Sequence, residues 1–560
     1  MTLDQPYALL SLFVLSFLLL LPAIPGQNAA RRLEQRLVRF TQRPTFAMFT
    51  VFLAVIAIRL LLLPRFAVPV PFIHDEFSYL LMGDTFAHGR LANPTHPMWL
   101  SFETMHVNWI PTYSSVYTPA QGFVLAIGQL LGHPWIGVLL SNSAMCAAIL
   151  WMLRAWFPAR WAFLGAVLVA AKFGFAHYWI NSYWGGAAAA TGGALVLGAL
   201  ARILRRATLR EALLLGLGVA ILANSRPYEG LLFCIPAGCV FLWWLTGRAK
   251  KSADLAARFK TVFFPLATVL ILTATFMACY NWRLTGNPLL FPHALSMRTY
   301  HTESFFLWEQ PKPPLHYNNP EFERFFNVML RREYSPSWQS AWRIWSLKLN
   351  LLLRTYLWPG ALVLLPFLPL LFVDKKMRLL VVTFACVIGG SLPLVWGNPH
   401  YVAPVTCIFF AFVIQAMRRL QLVDRRGRRF GMALSRAVVV LLIVATVSDV
   451  ERDICNPLRP YCLGDAGRQA VQKILQTTPG RHLVVVRYGA RHDVLDEWVY
   501  NGAEIDTAKI LWARDLDAAQ NEKLFAYFKD RQIWLVNPDE TDREARHLRP
   551  YPVTAPPLQP

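Results

Sequence analysis

The chain has 560 residues, of which 55% are hydrophobic and only 16% charged, and its mean hydropathy is +0.36. Those values exclude an ordinary soluble globule and fit a bundle of membrane helices that carries a smaller soluble part. The formal charge of +22 does not mark a nucleic-acid partner, because Arg and Lys gather in short patches between apolar runs. The patches are Arg31, Arg32, Arg36, Arg39 and Arg43; Arg202, Arg205, Arg206 and Arg210; Arg248, Lys250, Lys251, Arg258 and Lys260; Lys375, Lys376 and Arg378; and Arg418, Arg419, Arg425, Arg426, Arg428 and Arg429. This is the positive-inside pattern, which places those loops in the cytoplasm.

A spanning helix needs about 20 mostly apolar residues. Taken along the chain, the candidate spans are 7–25, 46–63, 135–153, 161–179, 185–204, 211–225, 229–246, 261–281, 357–373, 378–396, 401–418 and 431–448. The first has Asp4 and no Lys or Arg before it, with a basic cluster after it, so it reads as an uncleaved helix whose N-terminus faces outward. With every basic patch inside, parity puts segments 64–134, 283–356 and 449–560 outside. The apolar stretch 119–131 is short, and counting it as a span would turn several Arg clusters outward; it reads as interfacial or re-entrant. From about 464 the pattern changes to short apolar runs, His482-Leu-Val-Val-Val-Arg-Tyr488, Ala508 to Trp512 and Gln532-Ile-Trp-Leu-Val536, alternating with helical stretches. That alternation predicts a small α/β unit with a parallel sheet. The predicted architecture is therefore an α-helical polytopic membrane protein of about 12 spans, residues 1–448, followed by a soluble extracytoplasmic α/β domain, 449–560.

Cys146, Cys234, Cys239, Cys279, Cys386 and Cys407 lie in apolar segments and read as packing residues. Cys455 and Cys462 flank a Pro-rich loop on the predicted oxidising side, and a local disulfide between them is expected; no second Cys or His pair stands at zinc-ligand spacing.

The residues with most to say about chemistry are His74-Asp75-Glu76, which open the first outer loop just beyond an apolar helix. Two adjacent carboxylates beside lipid are costly to keep ionised, so they call for a proton, a metal or a sugar hydroxyl to handle. Glu103 and His106 stand three apart, the spacing of ligands on one helix face, and are the candidates if a divalent metal is bound. Arg226 and Glu229 come together where a helix breaks at Pro227; they could seal the turn as an ion pair, or Arg226 could offer its planar fork to a phosphate. Asn181, Tyr183 and Trp184 precede a Gly/Ala-rich helix and suit a sugar ring, as does Tyr228; His400 and Tyr401 stand at another outer helix start. The second outer segment carries His293, Arg298, His301, Glu303, His316 and Tyr317, none of which stands out by pattern.

An acidic pair followed by Tyr79, a Tyr117-Thr118-Pro119 entry to the next helix and a late His400-Tyr401-Val402-Ala403-Pro404 element follow one another in a recognisable order. In this the chain resembles the GT-C superfamily of polytopic glycosyltransferases, in outline the protein O-mannosyltransferase and lipid A aminoarabinose transferase group. The resemblance covers roughly 46–448 and implies a polyprenyl-phosphate sugar donor, with an outer-loop carboxylate as base. Carried over, that base is Asp75, with Glu76 beside it, and the reaction inverts the anomeric centre. The acceptor would be a glycan, a lipid or a protein, and the location a bacterial inner membrane. Two departures stand out: the family's late motif commonly has Arg where His400 stands, and an extra N-terminal helix precedes the usual first span. The rival readings are a lipid-linked glycan transporter or flippase, and a polysaccharide polymerase or ligase. Transporters place ionisable groups within their spans. Here the acids cluster in outer loops instead.

Overall fold

The computed structural model describes residues 38–247, 252–333, 337–356, 364, 366–423, 431–432, 434–439, 466–540 and 548–552. The candidate span 7–25 and the expected Cys455–Cys462 bridge lie outside the described residues, as do 357–363 and 365 of the span 357–373 and the second half of 431–448. Its main helices are α1 (Pro44–Leu61), α2 (His74–Ala87), α3 (Ala120–Leu130), α4 (Pro134–Trp156), α5 (Ala159–Phe173), α6 (Gly186–Ile203) and α7 (Leu209–Ser225). They continue with α8 (Pro227–Gly247), α9 (Phe264–Thr285), α10 (Trp338–Tyr356), α11 (Arg378–Ser391), α12 (Thr406–Leu420), α13 (Ala466–Thr477) and α14 (Ala518–Tyr527).

Six described helical segments are long and apolar enough to cross a membrane: Pro44–Leu61, Pro134–Trp156, Gly186–Ile203, Pro227–Gly247, Ala253–Thr285 and Ala403–Leu420. The protein is thus a multi-pass membrane protein. Helix starts follow local rules: α1, α4 and α8 begin on Pro, whose missing N–H costs nothing there. Thr208 caps α7 by accepting from the Glu211 amide, and its hydroxyl meets the Glu211 carboxylate. Helix α3 has 11 residues, so it is about 16 Å long against a hydrocarbon core of about 30 Å.

One predicted span is corrected. The apolar stretch 161–179 is helical only to Phe173, and residues 174–185 are irregular. The irregular backbone is held by side chains: Trp135 Nε1 donates to Ile180 O at 2.8 Å and Asn142 Nδ2 to Trp179 O at 2.9 Å. The fully buried Arg59 donates from Nη2 to Asn181 Oδ1 at 2.8 Å and to Ala67 O, and from Nη1 to Phe66 O. With its carbonyls met in this way, the segment has no need of a helix's internal bonds.

Small residues let the bundle close tightly. A Cβ on Gly193 of α6 would stand 2.2 Å from Pro404 O, so α6 lies directly against the turn that carries His400 and Tyr401.

In the first outer loop the short strands β1 (Asn93–Pro94), β2 (Val107–Asn108) and β3 (Thr112–Ser115) pair antiparallel in the order β1-β3-β2. In the C-terminal part, β4 (Arg481–Val486), β5 (Ile510–Arg514) and β6 (Arg531–Val536) form a parallel sheet in the order β5-β4-β6. A short β7 (Arg549–Pro550) pairs antiparallel along the outer edge of β6. One face packs on α13 through Val471, Leu475, Val484 and Val486. The other face joins Leu483, Val485, Leu511 and Leu524 to Leu81, Phe102, Val107, Trp109 and Tyr113 in one apolar cluster. The sheet therefore shares its core with α2 and the first outer loop.

Candidate active site

Helix α2 begins at His74 because Glu76 closes its N-terminus. Glu76 Oε2 accepts from the amides of Phe72 at 3.0 Å and Ile73 at 3.4 Å, while Oε1 accepts from the Tyr183 amide at 3.0 Å. Burial pushes its carboxyl up to about 7, against the pull of these three amides. Residues 75 and 76 lie about 100° apart around a helix, so the two acids face different surroundings. Asp75 is still 21% exposed. Its Oδ1 accepts from the Tyr117 hydroxyl, and its Oδ2 is 4.0 Å from His106 Nε2.

His106 reaches Asp75 from a backbone at φ +59°, the left-handed region that side chains rarely adopt. Its carbonyl is held there by the Ser78 hydroxyl at 2.6 Å and the Val116 amide at 3.3 Å. Burial lowers the His106 imidazole to about 4, so it is neutral at working pH. The expectation that Glu103 and His106 share a helix face is corrected: the local helix Trp99–Phe102 ends before either. Glu103 turns instead to Tyr300 Oη and Asn319 Nδ2, both at 3.1 Å. Among the described residues no group of three or more His, Cys, Asp or Glu is gathered as a metal would require.

Behind Asp75 stand three tyrosines. Tyr79 stacks on Tyr117 with ring centres 4.3 Å apart. Tyr401 lies under the Arg226 guanidinium at 4.3 Å. Tyr79, Tyr117 and Tyr401 each lie close enough to feel both the Asp75 and the Arg226 charges. Arg226 is half-buried where α7 stops at Pro227, and its guanidinium makes no ion pair among the described residues. Glu229 is buried near it without closing the ion pair weighed from sequence. Tyr228 donates to Gly390 O at 2.8 Å.

The other predicted contacts are anchored by the fold. Asn181 is used on both ends of its amide, by Arg59 and by Phe175 O and His177 O. Tyr183 donates to Pro69 O at 2.9 Å. Trp184 stands edge-on to the buried His400, which meets Tyr178 Oη through Nδ1 at 3.2 Å.

His74 faces the C-terminal sheet. Its Nε2 donates to Val494 O at 2.6 Å, and its Nδ1 is 3.8 Å from Glu497 Oε2. Glu497 is a junction: it accepts from Thr104 Oγ1 at 2.9 Å, Tyr488 Oη at 2.6 Å, the Val499 amide at 2.8 Å and Arg514 at 2.6 Å. Arg514, the last residue of β5, also reaches Glu103 O at 2.6 Å and Glu321 at 3.4 Å. Farther along α2, Asp84 accepts from the Ala503 amide at 2.6 Å, and Phe77 stacks on Tyr500 at 4.5 Å. Residues 494–503 thus run along the helix that presents Asp75. Pattern reading passed over Tyr117 as a site residue and over Glu497 and Arg514 altogether; the Tyr-x-Pro element was the available signal for the first.

The fold has counterparts in solved structures. ArnT from Cupriavidus metallidurans in the apo state superposes with a TM-score of 0.50 at 13% identity, over 87% of this chain and 93% of that one. The same ArnT bound to undecaprenyl phosphate matches at 0.49 and 12%, over 87% and 93% of the two chains. An Archaeoglobus fulgidus oligosaccharyltransferase tethered to an acceptor peptide matches at 0.43 and 11%, over 78% of this chain and 61% of that one. The chain thus spans about three fifths of the oligosaccharyltransferase's length. No protein-family model matches the sequence, and no curated protein does. At these identities the likeness is one of fold.

Proposed function

We propose that the protein is a membrane glycosyltransferase that moves a sugar from a polyprenyl-phosphate donor to an acceptor hydroxyl on the extracytoplasmic side, with Asp75 as base. The observation that carries this is the pairing of a partly exposed carboxylate with a cation that makes no ion pair among the described residues, Asp75 and Arg226, across a layer of tyrosines. The fold likeness to ArnT, solved with undecaprenyl phosphate, supports the donor class.

In the step, Asp75 takes the proton of the acceptor hydroxyl as that oxygen bonds to the anomeric carbon. The bond from that carbon to the phosphate oxygen breaks, and polyprenyl phosphate leaves with the electron pair toward Arg226. One displacement inverts the centre. Tyr117 aims the carboxylate, and neutral His106 backs its second oxygen. Glu76 is a positioning residue, since its oxygens serve three backbone amides. A metal is given no part, because Glu103 and His106 are turned to separate partners.

The test is release of polyprenyl phosphate from a labelled polyprenyl-phosphate sugar by membranes containing the protein. Asp75→Asn should abolish release while leaving the protein folded and able to bind donor. Near-normal release in that variant would refute the assignment; donor binding with no release by the unaltered protein would favour a transporter. Labelling of a single cysteine near residue 75 by a membrane-impermeant reagent tests the sidedness.

A further inference from the structure

Between the two outer loops lies a chamber of about 190 Å³ lined by aromatic and uncharged polar side chains, with one carboxylate. Its floor is buried: Glu103, Asn108 and Trp109 are each no more than 2% exposed. Its mouth is formed by Ile110, Thr299, His316 and Asn318, all exposed, and its walls by Trp99, Tyr300 and Tyr317.

From these residues we infer that the chamber is the subsite for an uncharged pyranose of the acceptor, which makes the acceptor a glycan. The inference rests on the transferase reading above. Its size suits one sugar ring and is too small for a lipid tail. Aromatic faces match the C–H surface of a pyranose, and a few fixed polar groups set its orientation. Those groups have capacity to spare. Asn108 gives its amide to Pro292 O at 3.0 Å and leaves its side-chain oxygen over, and Trp109 Nε1 has no partner among the described residues. Glu103 is aligned by Tyr300, whose carbonyl is in turn held by the Tyr317 hydroxyl at 2.5 Å. No Lys or Arg lines the chamber, so it does not compete for the lipid phosphate.

The chamber is tied to the reacting groups through the chain itself. The segment that supplies Glu103 and Asn108 also supplies His106, whose left-handed backbone delivers its ring to Asp75. Arg514 clamps the Glu103 carbonyl and Thr104 bonds Glu497, so the C-terminal sheet fixes the wall between sugar subsite and base.

The experiment is saturation-transfer NMR on the purified full-length protein in detergent, without donor, using methyl glucoside, methyl mannoside and N-acetylglucosamine as probes. At least one pyranose should receive saturation on its ring protons. Trp99→Ala and Glu103→Gln should each cut that signal by about three- to tenfold, and Asp75→Asn should leave it unchanged. Asn318→Ala, a change at the exposed rim, should lower it too. No saturation for any probe, or equal signals in the chamber variants and the unaltered protein, would overturn the subsite. Chamber-dependent binding in a protein that never releases polyprenyl phosphate would uphold the subsite and overturn the transferase reading instead.

Discussion

Arg514→Leu tests how the C-terminal sheet holds the outer loops. Arg514 is 2% exposed and lies among Glu497, 3% exposed, Glu321, 11% exposed, and the carbonyl of Glu103. Removing one partner of a buried pair leaves the other charge uncompensated and costs about 3–5 kcal/mol. Glu497→Leu strands Arg514 less completely, because Glu321 stays at 3.4 Å. The double variant should therefore cost well under the sum of the singles, with a coupling of about 2–3 kcal/mol. Hydrogen exchange of the β4 and β5 amides in the purified protein reads this opening directly. Losses that add within about 0.5 kcal/mol would refute the junction, as would unchanged exchange in β5. The pH dependence gives a second check. Burial drives the Glu497 carboxyl upward, but Arg514, His74 and Tyr488 outweigh it and hold the group below its ordinary 4.5. A depressed carboxyl stabilises the fold above 4.5, and that contribution fades as the pH drops through the folded value.

Other outcomes follow from single side chains. Arg226→Ala should raise the donor KM by about ten- to a hundredfold, the worth of a charge-assisted contact, and Arg226→Lys should fall between; an unchanged KM in the Ala variant would remove Arg226 from the phosphate site. His106 titrates near 4 when folded and 6.5 when not, so the unfolded chain binds the extra proton in that window and stability rises with pH across it. The acid-sensitive part is on the order of 3 kcal/mol, and His106→Gln should flatten it in unfolding curves taken from pH 4 to 7; an unchanged slope would contradict the burial. Gly193→Ala should lower the melting temperature through an overpacking cost of about 1–3 kcal/mol, because the new methyl meets Pro404 O; a variant as stable as the parent would mean that α6 and the His400 turn slide apart freely.

Much of the bundle was legible because its signals are local. Hydropathy marks α1, α4, α6 and α8, Thr208 and Glu211 spell out a cap, and the apolar runs at 482–486, 510–514 and 531–536 are strands. Phe173 shows where that reading stops: nothing in the apolar run 161–179 records that Trp135, Asn142 and Arg59 supply partners to an irregular backbone. The site divides in the same way. Asp75 and Glu76 look alike in a string of letters, yet one turn geometry leaves Asp75 partly exposed beside Tyr117 and gives Glu76 three amides. Glu103 and His106 have ligand spacing only if a helix continues, and it ends at Phe102. The bonds from His74 to Val494 and from Thr104 to Glu497 join residues about four hundred positions apart, and no periodicity encodes such a meeting.

Residues 494–503 lie against α2 from His74 to Asp84, which limits how this fold could be rebuilt by exchanging parts. A chimera that kept the bundle and took its tail from another protein of this fold would bring a foreign strip against the helix presenting Asp75. Val494 O, Glu497 and the Ala503 amide would have to be matched before the transplanted tail could seat. Changes in acceptor preference would then arise in both halves of the chain together.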